Sequence, residues 1–141
     1  MPYDCEIDKL PCDYKRMTLE FARNYCLSKP GVTEEMPFGD TVLVYKVMGK
    51  IFALIPLDTP ELQMNLKCDP EGAVDLRAEW SCVLPGYHMN KRHWNTIVAD
   101  YALPDRLWLS WIDDSYRLVT RSLSRKLQVE LSQLPPSVDL F

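Results

Sequence analysis

The cleanest pattern in the chain is Leu62-Gln63-Met64-Asn65-Leu66-Lys67-Cys68, in which apolar and polar residues alternate one by one. Residues two apart on a strand share a face, so this run predicts a half-buried strand. Leu62, Met64, Leu66 and Cys68 turn toward a helical layer, while Gln63, Asn65 and Lys67 turn away from it. Upstream, Thr41–Val47 and Lys50–Pro56 are rich in β-branched and aromatic residues around the turn Met48-Gly49-Lys50, which predicts a hairpin. Helical spacing appears instead from Thr18 to Ser28, where Thr18 suits an N-cap, Leu19, Ala22, Tyr25 and Cys26 share a side, and Pro30-Gly31 ends the element. Asp69-Pro70-Glu71 opens a second helix running to Glu79, because proline fits a first turn and acids suit the positive end of the helix dipole.

Short strands are expected at Trp80–Leu84 and Asn95–Ala99, separated by the turn Pro85-Gly86 and an irregular stretch. A long helix starts at Leu103-Pro104-Asp105 and runs to Arg121, with Leu107, Trp108, Trp111, Ile112, Leu118 and Val119 inward. A last amphipathic helix covers Ser124–Leu134 before Pro135-Pro136. The order of elements predicts a single α+β domain over residues 17–134, in two layers, an antiparallel sheet backed by helices. Residues 1–16 form an N-terminal extension and residues 135–141 a C-terminal tail.

Composition narrows the class. The chain has 141 residues, 47% of them hydrophobic, and a formal net charge of −4, a profile that excludes disorder as the main state. Its longest apolar run, Ile51-Phe52-Ala53-Leu54-Ile55, falls far short of the ~20 residues of a membrane span. With no secretory leader in view, a cytoplasmic location is expected. The five cysteines form no CxxC pair, and His88 and His93 have no partners at metal-ligand spacing, so reduced thiols and no cofactor are expected. Glycine-rich phosphate loops, nucleophile elbows and HExxH signatures are absent, and the paired acids Glu34-Glu35 and Asp113-Asp114 point in different directions along any regular element. A non-catalytic protein is therefore expected.

The segment Tyr87–Trp94 concentrates chemistry after the Pro85-Gly86 turn. It holds His88, Asn90, Lys91, Arg92, His93 and two aromatic residues within eight positions. Cations suit phosphates and aromatic faces suit bases, so the segment fits nucleic acid or an anionic ligand; it equally fits a soluble loop anchored by Trp94. Arg117, Arg121 and Arg125, spaced by four and followed by Lys126, suggest a second basic helical face. The acidic pI of about 5.1 opposes strong nonspecific DNA affinity.

Several ordered motifs then give the chain a resemblance. Pro30-Gly31-Val32-Thr33-Glu34-Glu35, Pro37-Phe38-Gly39, Tyr45-Lys46-Val47, Gly49-Lys50-Ile51-Phe52-Ala53, Asn65-Leu66-Lys67-Cys68-Asp69-Pro70, Pro85-Gly86-Tyr87-His88-Met89-Asn90-Lys91, His93-Trp94-Asn95, and Asp114-Ser115-Tyr116 with Leu118-Val119 follow one another over Met17–Ser122. In that order they resemble the MmcQ/YjbR family of small bacterial proteins. The resemblance implies a two-layer fold like those of secretion chaperones and frataxin, and a DNA-binding role, with no catalytic residues to carry over. Its polar motif positions, Lys50, Lys67, His88, Asn90, Lys91 and Trp94, together with Arg92, are the candidate residues for a nucleic-acid or anionic-ligand surface. DNA is the expected partner; a small ligand or a protein is the alternative, with no membrane association, and the chain is expected as a monomer or homodimer. Strand parity further predicts that Lys67 stands on the open sheet face, close to the segment His88–Arg92.

Overall fold

The structure, a computed structural model, describes residues 17–86, 89–100 and 102–134. The expected extension 1–16, the tail 135–141, and Cys5, Cys12, Tyr87 and His88 lie outside the described residues. Helix α1 (Leu19–Leu27) leads into β1 (Val32–Glu35), β2 (Val42–Val47), β3 (Lys50–Pro56) and β4 (Gln63–Lys67). Helix α2 (Pro70–Glu79), β5 (Val83–Pro85), β6 (Trp94–Val98), α3 (Asp105–Arg121) and α4 (Arg125–Ser132) complete the order. The six strands form one antiparallel sheet in the order β1-β2-β3-β4-β6-β5. No helix among the described residues is long and apolar enough to cross a membrane.

Local chemistry explains the boundaries. Thr18 caps α1 by accepting from the Phe21 N–H at 3.1 Å, and Asp69 caps α2 through the Gly72 N–H at 2.8 Å. The β2–β3 hairpin turns on Met48 and Gly49, both at positive φ, the pairing that matches the twist of the flanking strands. Two elements differ from the sequence expectation. The strand expected at Trp80–Leu84 is Val83–Pro85, because the Trp80 N–H still closes α2 on Leu76 and its ring packs edge-on against Trp111, 6.3 Å between centroids. The chain also forms β1, where no strand was expected; Val32-Thr33-Glu34-Glu35 lacks apolar alternation because the inward position at Glu34 is a carboxylate.

That carboxylate is held by its neighbours. Arg23 of α1 grips Glu34 with two bonds of 2.9 Å, and the phenol of fully buried Tyr45 donates to it at 2.5 Å. The Arg23 bonds, helped by that phenol, hold the Glu34 carboxyl below its usual range against the opposing effect of burial. Burial, then the Glu34 charge, pushes the Tyr45 phenol up. A second cluster joins α1 to α3: the Asp113 carboxylate receives the Lys29 ammonium and the Tyr25 hydroxyl at 2.8 Å, with Lys29 lying over the Tyr25 and Tyr116 rings.

The core lies between the sheet and the helices. Leu43, Tyr45 and Val47 of β2, Met64 and Leu66 of β4 and Ile97 of β6 face α3 residues Trp108, Ile112 and Val119. A bulge in β3 lets consecutive Phe52 and Ala53 both join this core: Tyr45 pairs with Ala53 and Lys46 with Ile51, leaving Phe52 extra. The β3–β4 ladder is registered at Ala53↔Leu66 and Leu54↔Asn65. Beyond it, the hydroxyl of fully buried Ser115 in α3 accepts from the Lys67 N–H at 2.8 Å and donates to the Phe52 carbonyl at 2.6 Å.

Two stability predictions follow from these contacts. Ser115→Ala strips a partner from one buried N–H and one carbonyl, so urea denaturation should show a loss of at least ~2 kcal/mol, with faster hydrogen exchange at the Lys67 amide. The Glu34 contribution has a definite sign: a carboxyl with a depressed folded pKa adds stability above its unfolded value of about 4.3, which is lost as pH falls through the folded value. Glu34→Gln should therefore cost roughly 1–3 kcal/mol at neutral pH. It should also flatten the acid limb of stability measured by denaturant titration below that pH.

Candidate functional site

The face of the sheet turned away from the core, the outer face, carries a broad concavity. The same alternation that sends Met64 and Leu66 inward sends Gln63 and Asn65 outward. Register then places Thr96 of β6 beside Asn65 and Leu54 of β3 on its other side, giving a continuous row across three strands. Val42 and Ile51 extend the floor. Phe38, in the β1–β2 loop and 65% exposed, and Met89, in the β5–β6 loop, stand on its borders. The groove measures about 730 Å³, within the range of small-molecule sites.

Its chemistry is neutral. Among the described lining residues Asp58, beside Thr59 in the β3–β4 connection, is the one charged group; the floor alternates aliphatic carbon with the amides of Gln63 and Asn65 and the hydroxyl of Thr96. Asn65 and Thr96 are 7% and 4% exposed, and the Thr96 hydroxyl donates to the Asn65 Oδ1.

The described residues among those singled out by sequence do not line this groove. Lys50 is exposed at the hairpin end, where its ammonium bonds the Ser122 carbonyl at 3.0 Å and so neutralises the C-terminus of α3. Lys67 is half-buried and borders a cavity of about 30 Å³ with Trp111 and Asp114 of α3. Its N–H donates to the Ser115 hydroxyl past the end of the β3–β4 ladder, while Lys67 still pairs with β6. Trp94 is half-buried directly opposite Lys67 in register. The Cys68 N–H donates to the His93 carbonyl at 2.7 Å, which keeps this end of β4 beside the β5–β6 loop. The arginine series is also broken. Helix α3 ends at Arg121, Arg125 opens α4, and Arg117 pairs with Asp114 at 2.9 Å, so these residues share no single helical face.

Asn90 and Lys91 build the loop they belong to. The Asn90 side chain accepts from the Arg92 N–H at 2.9 Å, and its carbonyl accepts from the Trp94 N–H at 3.0 Å. Lys91 reaches the Gly86 carbonyl at 3.2 Å. Gly86 itself is demanded by proximity, since a Cβ there would stand 2.8 Å from the Trp94 Cβ and 2.9 Å from its carbonyl oxygen. Arg77 of α2 locks the arrangement from below, bonding the Asn95 amide oxygen at 2.7 Å and the Lys91 carbonyl. Arg92 is exposed at the loop surface. Sequence reasoning missed the groove residues Phe38, Leu54 and Met89; the polar outward positions Gln63 and Asn65 were the available signal, read there as ordinary solvent-facing residues.

The described thiols are raised above their ordinary range. Burial pushes Cys26 up to about 12 and Cys68 to about 11, the range of inert structural thiols. No cluster of three or more metal-ligating side chains occurs among the described residues.

Relatives share this architecture. Residues 27–118 match the family model YjbR. Protein YjbR of Escherichia coli K12 is 34% identical over 118 residues, covering 82% of this chain and 100% of its own. Protein YbdF of Escherichia coli O157:H7 is 34% identical over 118 residues, 81% and 93% of the two chains. The crystal structure of Deinococcus radiodurans protein DR2400 superposes with a TM-score of 0.76 at 36% identity, covering 87% of this chain and 93% of that one. A Pseudomonas syringae protein of solved structure follows at a TM-score of 0.63 and 25% identity, with coverages of 72% and 98%. Most of the chain, its motifs and its fold are thus those of one family, and the protein belongs to the YjbR family.

Proposed function

We propose that the protein is a non-catalytic binding domain whose site is the outer-face groove, and that its ligand is small and uncharged. The observation that carries this reading is the groove's lining: a concavity of about 730 Å³ in which aliphatic and aromatic carbon surrounds neutral amides and hydroxyls. A charged ligand would lose hydration there without a lysine or arginine among the described lining residues to replace it. The non-catalytic part is supported by the way strongly interacting charged groups are used. Glu34, Asp113, Lys29, Lys50 and Arg77 are engaged in contacts that fasten helices to strands or to loops.

A second reading, nucleic-acid binding, draws on the exposed Arg92 and on Lys91 and Lys67 at the same end of β4 and β6. It is the weaker one. The Lys91 and Lys50 ammonium groups are bonded to carbonyls, and the chain carries a net charge of −4.

Fluorescence titration with Nile red, an uncharged dye, tests the groove. Emission should rise and shift to the blue on binding. Phe38→Ser should weaken binding roughly fivefold by removing an apolar wall, with no change in Tm because the ring is 65% exposed. Val74→Ser on α2, 60% exposed and outside the groove, should leave the titration unchanged. Unchanged emission with the wild-type protein, or equal effects of the two substitutions, would contradict the reading.

A further inference from the structure

Asn65 is a buried, bonded polar side chain of the groove floor. It is 93% buried by its 7% exposure, and its Oδ1 is occupied by the Thr96 hydroxyl. Fixing the oxygen fixes the amide, so the Nδ2 hydrogens must point the other way. Among the described residues they meet no acceptor, yet no fully buried side-chain nitrogen or oxygen there lacks a partner, so Nδ2 opens into the groove. A donor pair in a floor that mixes neutral polar groups with aliphatic carbon, with Leu54 beside it in register and the Phe38 ring on the border, selects for an acceptor on an apolar body.

We infer that the groove recognises an uncharged ligand through a carbonyl oxygen or ring nitrogen that accepts from Asn65 Nδ2, with Thr96 acting as the positioning residue that holds the amide in its donating orientation. This rests on the groove being the binding site. A protein donor left unsatisfied by a ligand without an acceptor is what generates selectivity, because the donor is then desolvated without return. An anion gains little over a neutral acceptor here, since Asp58 is the one charge among the described lining residues and has the wrong sign. Gln63, two residues along the same face, extends the polar row with a second carboxamide.

The full-length protein, labelled with 15N, is titrated separately with acetophenone, with ethylbenzene, which has nearly the same shape without the carbonyl, and with benzoate. Acetophenone should bind about tenfold more tightly than ethylbenzene and shift the Asn65 side-chain NH2 signals, and benzoate should gain no such advantage. Thr96→Val, which frees the amide to turn, should cut the acetophenone preference to about twofold while ethylbenzene affinity stays constant. Asn65→Leu should abolish the preference. Equal wild-type affinities for acetophenone and ethylbenzene, with shifts at groove amides for both, would overturn the acceptor inference and leave the groove standing as a site. Absence of groove shifts with every probe would overturn the site itself.

Discussion

A single hydroxyl sets the register between the two layers. At the end of the β3–β4 ladder the backbone of Phe52 and the backbone of Lys67 would face each other with unmatched groups; Ser115 fills the gap from α3, satisfying one donor and one acceptor at once. With that point fixed, the rest of α3 falls into place along the sheet. Trp108 reaches Met64 with its indole N–H at 3.0 Å, Tyr116 meets Phe52 edge-on at 5.4 Å, and the last turn arrives where Lys50 neutralises its carbonyls. The helical layer is thereby committed to one face. Leu54, Asn65 and Thr96 are left on the other, which is why the groove forms there.

Much of this was legible in the sequence. Strict alternation at Leu62–Cys68 gave the correct inward set for Met64 and Leu66, and the Met48-Gly49 pair gave the hairpin, because both depend on local geometry. Helices α1 to α4 were readable from caps and spacing for the same reason. The failures share a cause too. Glu34 looks like a solvent-facing acid until Arg23 and Tyr45, eleven residues away on either side, close around it, so β1 was hidden by a long-range ion pair. The bond from the Lys67 N–H to a serine 48 residues downstream has no local signal either.

The candidate site was less legible. A dense run such as Met89-Asn90-Lys91-Arg92 invites a functional reading because its residue types are reactive, yet Asn90 and Lys91 satisfy backbone groups within their own loop. The groove is assembled from residues of modest chemistry whose meaning is positional. Gln63 and Asn65 line a groove only because register puts Leu54 on one side and Thr96 on the other, and because two distant loops supply Phe38 and Met89. Membership of the YjbR family carries the fold, while the chemistry of the outer face is what separates a site for a neutral ligand from a site for phosphates.

Those two surfaces are distinct enough to be separated in one spectrum. Backbone amide shifts recorded at low salt, first with acetophenone and then with a short DNA duplex, map which face responds to which chemistry. Acetophenone should move Val42, Leu54, Asn65 and Thr96 together, and the duplex should leave Lys67, Lys91 and Arg92 unmoved. Saturable shifts at Lys67, Lys91 and Arg92 with the duplex, and a silent groove with acetophenone, would contradict it.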